Sequence, residues 1–200
     1  FPMDIIEVIK AQPKICNYLD MPLQHISDNM LKAMKRQITR KEIVDLIHDI
    51  RAVLPEICIR TTLIAGFPGE TQDDVDDLKA FLEEMRFDRV GVFTYSHEDG
   101  TTAYAMDDSL SQEEKEERAQ EIMAVQQDIS LAKNEEKVGK VFKVMIDKRE
   151  AGRYLGRTEF DSVEVDNEVI IQTGKRLKPG DFVQVKITKA YDYDLEGELV

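Results

Sequence analysis

The run IRTTLIAGFPGET, residues 59–71, limits the possible folds of this chain more than any other segment. Its first six residues are mostly apolar or β-branched and predict a buried strand. Gly66, Pro68 and Gly69 predict a sharp turn, and Thr71 is a typical residue for starting a helix. A strand, turn and helix in this order form the βα junction of an α/β fold, where parallel sheets and barrels bind ligands. A turn without a binding role is the alternative interpretation.

Helical and strand patterns alternate over residues 1–137. This alternation predicts a parallel sheet joined by crossover helices. Thr39 with Glu42, and Ser111 with Glu114, have the spacing of capping boxes that start helices. Three strands are too few for a complete barrel, so we expect this α/β half to be unfinished at its amino end. The predicted strands are residues 15–19, 59–64 and 89–95, and the predicted helices start near Asp4, Ser27, Thr39, Thr71 and Ser111.

The pattern changes near Gly139, after which short segments of alternating polar and apolar residues follow one another. Gly152, Gly156, Gly174 and Gly180 separate these segments. Period-two alternation at this spacing predicts a small antiparallel β-barrel of about five strands. We therefore predict two domains, residues 1–137 and residues 138–200.

The charge of the chain argues against a nucleic-acid partner. The net charge is −13, from 27 basic and 40 acidic residues, whereas proteins that bind nucleic acid usually present a basic face. No apolar run reaches the 18 residues that would span a membrane. The chain begins at Phe1 without the features of a signal peptide, and we interpret it as a segment of a longer protein.

The two cysteines, Cys16 and Cys58, are 42 positions apart in the sequence. Zinc and iron–sulfur sites need clustered thiolates, so neither site is predicted here. Both cysteines fall on predicted strands, and we expect buried, reduced thiols that pack as small hydrophobic groups. Reduced thiols fit a cytoplasmic protein.

Three stretches in the same order resemble the methylthiotransferases of the radical S-adenosylmethionine (SAM) superfamily. They are YLDMPLQHISDNMLKAMKR at residues 18–36, IRTTLIAGFPGET, and VGVFTYSHEDGTTAY at residues 90–104. The predicted barrel resembles the TRAM domain of that family. The resemblance implies the later half of a partial TIM-like radical SAM barrel, followed by a small OB-like barrel. Thr62 stands where tRNA-modifying members usually have Asp, and the ending AYDYDLEGELV is similar to members that modify ribosomal protein S-twelve.

The resemblance implies a radical reaction on an aspartate of small-subunit ribosomal protein S-twelve. Members of the family hold two 4Fe-4S clusters on six cysteines; one cluster cleaves SAM, and the product radical removes hydrogen from the aspartate β-carbon. All six cysteines would lie before Phe1. We therefore expect this segment alone to bind no iron and to be inactive, and we assign no catalytic or metal-binding residue in it. A tRNA methylthiotransferase and a non-catalytic substrate-docking module are the alternatives.

By the same resemblance, Gln24 and Arg36 are candidate SAM contacts, since an amide and a guanidinium suit a ribose and a carboxylate. An exposed loop amide and a surface arginine at a helix end are the competing interpretations. His25 is expected to cap a loop rather than to catalyse. Glu70 is expected to help the following helix start.

Arg60 and Thr62 fall on one face of their strand, because strand side chains alternate. An arginine in an apolar strand needs an anionic partner, so we predict that Arg60 faces SAM or an acidic substrate group. Thr62 beside it is a further candidate contact, with packing or a structural hydrogen bond as the alternative. The backbone around Gly66 is expected to approach SAM. Phe93 and Tyr95 are expected to border the adenine, with core packing as the alternative.

Four carboxylates near the carboxyl terminus, Asp192, Asp194, Glu196 and Glu198, predict an acidic edge of the barrel. Such an edge is complementary to a basic ribosomal protein and would repel tRNA. Solvated strand ends are the alternative.

Overall fold

The structure is a computed structural model that describes residues 1–163 and 165–200. It divides into two compact units. The first unit comprises Phe1–Glu7 and Leu19–Gln126, and the second comprises Val8–Tyr18 and Gln127–Val200. The predicted domain boundary at residues 137 and 138 stays a prediction.

The first unit is built on a three-stranded sheet of order β1-β2-β3. Its strands are β1 Tyr18–Asp20, β2 Cys58–Ala65 and β3 Arg89–Thr94, and β2 pairs with β3 in parallel. This parallel pairing confirms the predicted α/β class. Helices α2 Asp28–Ala33, α3 Arg40–Val53 and α4 Gln72–Met85 and a 3-10 turn at Thr102–Ala105 belong to this unit, whereas α1 Asp4–Ala11 and α5 Gln112–Glu135 have residues in both units.

Local sequence explains where the helices start. Thr39 accepts a hydrogen bond from the Glu42 amide and receives the Glu42 side chain in return, which is a complete capping box. Thr71 and Asp74 form the same arrangement at α4. Each box satisfies backbone donors that the first helical turn leaves free. Both predicted starts are therefore confirmed.

Strand β2 has two faces with different exposure. Ile59, Thr61, Leu63 and Ala65 are fully buried, whereas the residues between them are only half-buried. The buried face supplies the core of the unit together with apolar helix faces, and the half-buried face leaves side chains available for a site. The fully buried helical residues include Ile43, Ile47, Ile50, Leu78, Phe81 and Leu82.

The predicted strand over residues 15–19 is wrong in its position. The ladder begins at Tyr18, and the preceding residues form turns closed by local bonds such as Ile15 N–H to the Gln12 carbonyl, 2.9 Å. Cys16 is consequently exposed, which corrects the expectation that both thiols are buried. Cys58 lies in β2 and is buried as predicted.

The second unit contains a closed five-stranded barrel of order β4-β5-β6-β8-β7. The strand count is as predicted, but β6 pairs with β8 in parallel. A closed ring of five strands cannot alternate direction at every pair, so one parallel pair is a geometric necessity. The strands are β4 Val141–Glu150, β5 Arg153–Arg157, β6 Val169–Ile171, β7 Phe182–Ala190 and β8 Leu195–Leu199. Among the described residues of the alternating segment 162–171, the strand is β6, and Glu164 lies outside the described residues.

Among the residues that the structure describes, none of the helices is both long and apolar enough to cross a membrane.

Candidate functional site

A pocket of about 330 Å³ lies in the first unit, where the segment after β1 meets the end of β2. Gln24 and Arg36 line it together with the apolar side chains of Ile64 and Phe67. Its size is at the lower end of ordinary ligand sites. The remaining lining residues are Ala33, Met34, Thr102 and Ala103.

Gln24 is placed in the pocket by an extension of the sheet beyond β1. Its amide donates to the Thr62 carbonyl, 2.9 Å, and its carbonyl accepts from the Ile64 amide, 2.8 Å. Its φ is +73°, which is uncommon for a residue with a side chain. We call this left-handed backbone at Gln24 the bend. The bend and the two ladder bonds together place Gln24 beside the end of β2.

Arg36 reaches the pocket because helix α2 ends just before it. Lys35 adopts a left-handed φ of +57°, and the Arg36 amide donates back to the Leu31 carbonyl, 2.8 Å. This hydrogen bond satisfies the Leu31 carbonyl at the end of the helix. Within the described part of the chain, the Arg36 guanidinium has no hydrogen-bond partner, so it is available to an anionic ligand.

Arg60 and Thr62 share one half-buried face of β2, as the alternation predicts. A Cβ placed on Gly91, on the neighbouring strand, would lie 3.6 Å from Thr62 Cγ2 and 3.8 Å from Arg60 Nη2. The Arg60 guanidinium also donates to the Asp20 carboxylate, 2.7 Å. Neither side chain lines the pocket, so their contacts with SAM stay predictions.

The two predicted aromatic residues differ sharply in exposure. Phe93 is 59% exposed, whereas Tyr95 is buried and meets the Phe67 ring edge-on at 5.1 Å between centroids. Tyr95 therefore packs in the core against Phe67, which lines the pocket. Burial, followed by the nearby carboxylates of Asp108 and Glu98, raises the pKa of the Tyr95 phenol.

Gly66 has a φ of +76°, and its open side is filled by a lysine. A Cβ added there would lie 2.8 Å from Lys115 Cβ and closer still to Lys115 Cγ. The glycine thus makes room for Lys115, a reason that the sequence did not suggest. The predicted approach of its backbone to SAM stays a prediction.

Glu70 has a different role from the predicted one, because Thr71 is the residue that starts α4. The Glu70 side chain is buried, and its Oε1 accepts from the Gly66 amide, 2.8 Å, and from Arg118 Nη1, 2.9 Å. Arg118 also donates to the Glu70 backbone carbonyl, 2.9 Å. One carboxylate therefore ties the glycine turn to helix α5.

His25 caps its own loop, as predicted. Its Nδ1 accepts hydrogen bonds from the amides of Ile26, 2.9 Å, and Ser27, 3.0 Å. Its Nε2 lies 3.4 Å from Glu70 Oε2, and both side chains are fully buried. His25, Glu70 and Arg118 thus form a buried group, which we call the anchor group.

Helix α5 carries a second buried contact one turn earlier. Lys115 is only 4% exposed and donates to Asp108 Oδ2, 2.6 Å, with its ammonium 5.1 Å from the centre of the Tyr95 ring. Asp108 follows the segment that supplies Thr102 and Ala103 to the pocket. Lys115 and Arg118 both belong to the block EEKEER, residues 113–118. A block of this composition is typical of a solvated helix face, but Lys115 bonds Asp108 and Arg118 bonds Glu70. Their spacing of three, which puts them on one helix face, was the available signal.

In the predicted acidic edge of the barrel, three of the four carboxylates accept hydrogen bonds within the second unit. Asp192 accepts from Gln127 Nε2, 2.6 Å, and Asp194 accepts from the Glu168 amide, 2.9 Å. Glu196 accepts from the Tyr191 hydroxyl, 3.0 Å. Glu198 lies opposite Lys186 in the β7–β8 register. Docking of a basic partner on these residues stays a prediction.

The pocket has the chemistry that part of a SAM molecule requires. Arg36 can pair with a carboxylate, Gln24 can bond hydroxyl or amino groups, and the Ile64 and Phe67 side chains provide apolar surface. An iron–sulfur cluster does not fit: no three His, Cys, Asp or Glu side chains in residues 1–163 and 165–200 are grouped to hold a metal ion.

Two family models match the chain. The radical SAM superfamily model matches residues 2–82, and the TRAM domain model matches residues 138–200. In fold, the chain is similar to the coproporphyrinogen III oxidase HemN of Escherichia coli, a radical SAM enzyme. The TM-score is 0.55 at 16% identity, over 80% of this chain and 44% of that one. The fold class is thereby confirmed.

Curated relatives match almost the whole chain. The ribosomal protein uS12 methylthiotransferase RimO of Christiangramia forsetii is 53% identical over 99% of this chain and 44% of its own length. The proteins of the same name from Flavobacterium johnsoniae and Porphyromonas gingivalis are 53% and 48% identical, over 46% and 47% of their lengths. The chain therefore spans about half the length of these relatives.

Proposed function

This chain belongs to the radical SAM methylthiotransferases of the RimO type and matches their carboxyl-terminal part, and on that premise we propose that the whole protein methylthiolates ribosomal protein uS12. The modified atom is the β-carbon of one aspartate. The observation that carries the proposal is the identity of about half the residues with relatives named for this activity, over the full length of the chain. The pocket lined by Gln24 and Arg36 supports it.

Within the proposed function, SAM and two 4Fe-4S clusters are the cofactors, and the cluster ligands lie outside the described residues. When bound, SAM would supply radical chemistry from one molecule and the methyl group from a second molecule. Arg36 holds the SAM carboxylate, and Gln24 bonds its hydroxyl or amino groups. Phe67 gives the pocket an apolar wall, and Tyr95 packs against it.

Replacing Arg36 with Gln in the whole protein is expected to weaken SAM binding roughly tenfold to a hundredfold, because a hydrogen bond to a charged group contributes about 1.5–3 kcal/mol. Equilibrium dialysis with SAM and no reductant measures the dissociation constant without cleavage. Arg40→Gln is the matched control, because Arg40 starts helix α3 and pairs with Asp77 at 3.6 Å. Equal SAM affinities of the R36Q and unsubstituted proteins would show that Arg36 does not bind SAM.

The proposed substrate is a protein rather than tRNA. The chain has a net charge of −13, which favours a basic polypeptide over a polyanion. The rival function is methylthiolation of tRNA, with the TRAM domain as an RNA-binding element. The test offers uS12 and tRNA separately to the whole protein with SAM and a reductant, and analyses each by mass spectrometry; a methylthio group on uS12 alone is expected.

A further inference from the structure

We propose that His25 is a positioning residue for the SAM pocket: its Nδ1, through the bonds it accepts from the Ile26 and Ser27 amides, holds the bend at Gln24 in the binding conformation, and Glu70 only orients the ring. This inference rests on the proposed function and deepens it, since His25 is not among the residues that line the pocket.

The hydrogen bonds of His25 fix which ring nitrogen carries the proton. Nδ1 accepts from two backbone amides, those of Ile26 and Ser27, and an acceptor nitrogen has no proton of its own. The ring proton therefore resides on Nε2. That atom lies 3.4 Å from Glu70 Oε2. Among the described residues neither atom has a hydrogen-bond partner, so this contact is electrostatic.

The Glu70 carboxylate beside the ring is itself held in place. The carboxylate is buried, and its other oxygen is held by the Gly66 amide and by Arg118. Gly66 directly precedes the pocket residue Phe67, and His25 directly follows the pocket residue Gln24. The anchor group thus links two segments of the pocket wall to each other and to helix α5.

Gln24 depends on this support because its backbone is strained. A φ of +73° is unfavourable for a residue with a side chain. Two ladder bonds hold Gln24 from one side, and the His25 ring satisfies the two amides that follow the bend. Without the Nδ1 acceptor those buried amides lose their partner, and other loop conformations compete. The apparent affinity for SAM then equals the intrinsic affinity multiplied by the fraction of molecules that keep the bend, so it falls as that fraction falls.

Two substitutions separate the functions of the two ring nitrogens. In His25→Asn the amide oxygen occupies the place of Nδ1 and can accept from Ile26 and Ser27. In His25→Gln the amide nitrogen occupies the place of Nε2 and reaches Glu70, but the Nδ1 acceptor is lost. His48→Asn, at an exposed position of helix α3, is the surface control. Ile47→Val, in the buried face of the same helix, is a control for lost stability.

The experiment measures the SAM dissociation constant of each variant of the whole protein, without reductant and well below its unfolding temperature. We expect roughly tenfold weaker binding for H25Q, within about threefold of the unsubstituted protein for H25N, and no change for either control. A merely structural role would lower the unfolding temperature of H25Q and leave the dissociation constant unchanged. That result, or equal weakening in H25N and H25Q, overturns the proposal.

Amide hydrogen exchange without SAM gives a second measurement. The amides of Ile26 and Ser27 are expected to exchange faster in H25Q than in H25N, and equal rates would overturn the role of Nδ1. If the unsubstituted protein binds no SAM, the proposed function fails, whereas the exchange rates still report whether His25 holds the loop.

Discussion

Replacing Glu70 with Gln is expected to lower the free energy of unfolding of the whole protein by about 3–5 kcal/mol, the usual cost of removing one partner from a buried ion pair. The amide oxygen of Gln can still accept from the Gly66 amide. The substitution nevertheless leaves Arg118, whose side chain is 15% exposed, without its anionic partner. The expected result is a lower denaturant midpoint with an unchanged slope, measured by urea unfolding.

Glu121→Gln is the matched control for this prediction, because it also removes one charge from an ion pair of the first unit. Glu121 pairs with Lys79 at 2.9 Å, but its side chain is 44% exposed. An exposed pair of this kind contributes about 0–1 kcal/mol. Equal losses in E70Q and E121Q would show that the anchor group adds no more stability than a surface pair, which contradicts its assignment as a buried support.

Replacing Gly66 with Ala is expected to destabilise the protein by about 2–5 kcal/mol, from two separate causes. The left-handed backbone costs a non-glycine residue about 1–2 kcal/mol. In addition, the new methyl group overlaps the Lys115 side chain, and overpacking in a filled interior costs about 1–3 kcal/mol. Thermal unfolding and urea unfolding both measure this loss.

The G66A substitution is also expected to weaken SAM binding, because Lys115 must move and its bond to Asp108 orders the segment that carries Thr102 and Ala103.

The Gly100→Ala substitution separates the two causes of the stability loss, the left-handed backbone and the overlap with Lys115. Gly100 has a similar φ of +78°, but an added Cβ meets nothing within 4 Å. G100A should therefore show only the backbone loss. A G66A protein that loses no more stability than G100A would mean that the contact with Lys115 carries no strain.

Patterns that depend on neighbours in the sequence predicted the fold well. The βα junction of residues 59–71, the helix starts at Thr39 and Thr71, and the five-stranded barrel all rest on spacing within one element or turn. The strand at residues 15–19 was wrong because a short apolar run does not distinguish a strand from successive turns. The parallel β6–β8 pair follows from closure of the whole barrel, which no single segment reveals.

The candidate site was predicted in part. Gln24 and Arg36, expected as separate SAM contacts, line one pocket. The anchor group was missed because Glu70 and Arg118 are 48 positions apart in the sequence, and a helix rich in glutamate is usually solvated. The two basic residues on one face of that acidic block were the only local signal. Arg60 was predicted to need an anionic partner, and Asp20 is such a partner within the chain.

The most direct test of the proposed function is the modification itself, measured in competition. The whole protein, with SAM, a sulfur source and a reductant, is incubated with equimolar uS12 and tRNA, and both are digested and analysed by mass spectrometry. The result we predict is one methylthio group on a single aspartate of uS12, unmodified tRNA, and no product without reductant. A methylthio group on tRNA with unmodified uS12 would contradict the proposed function.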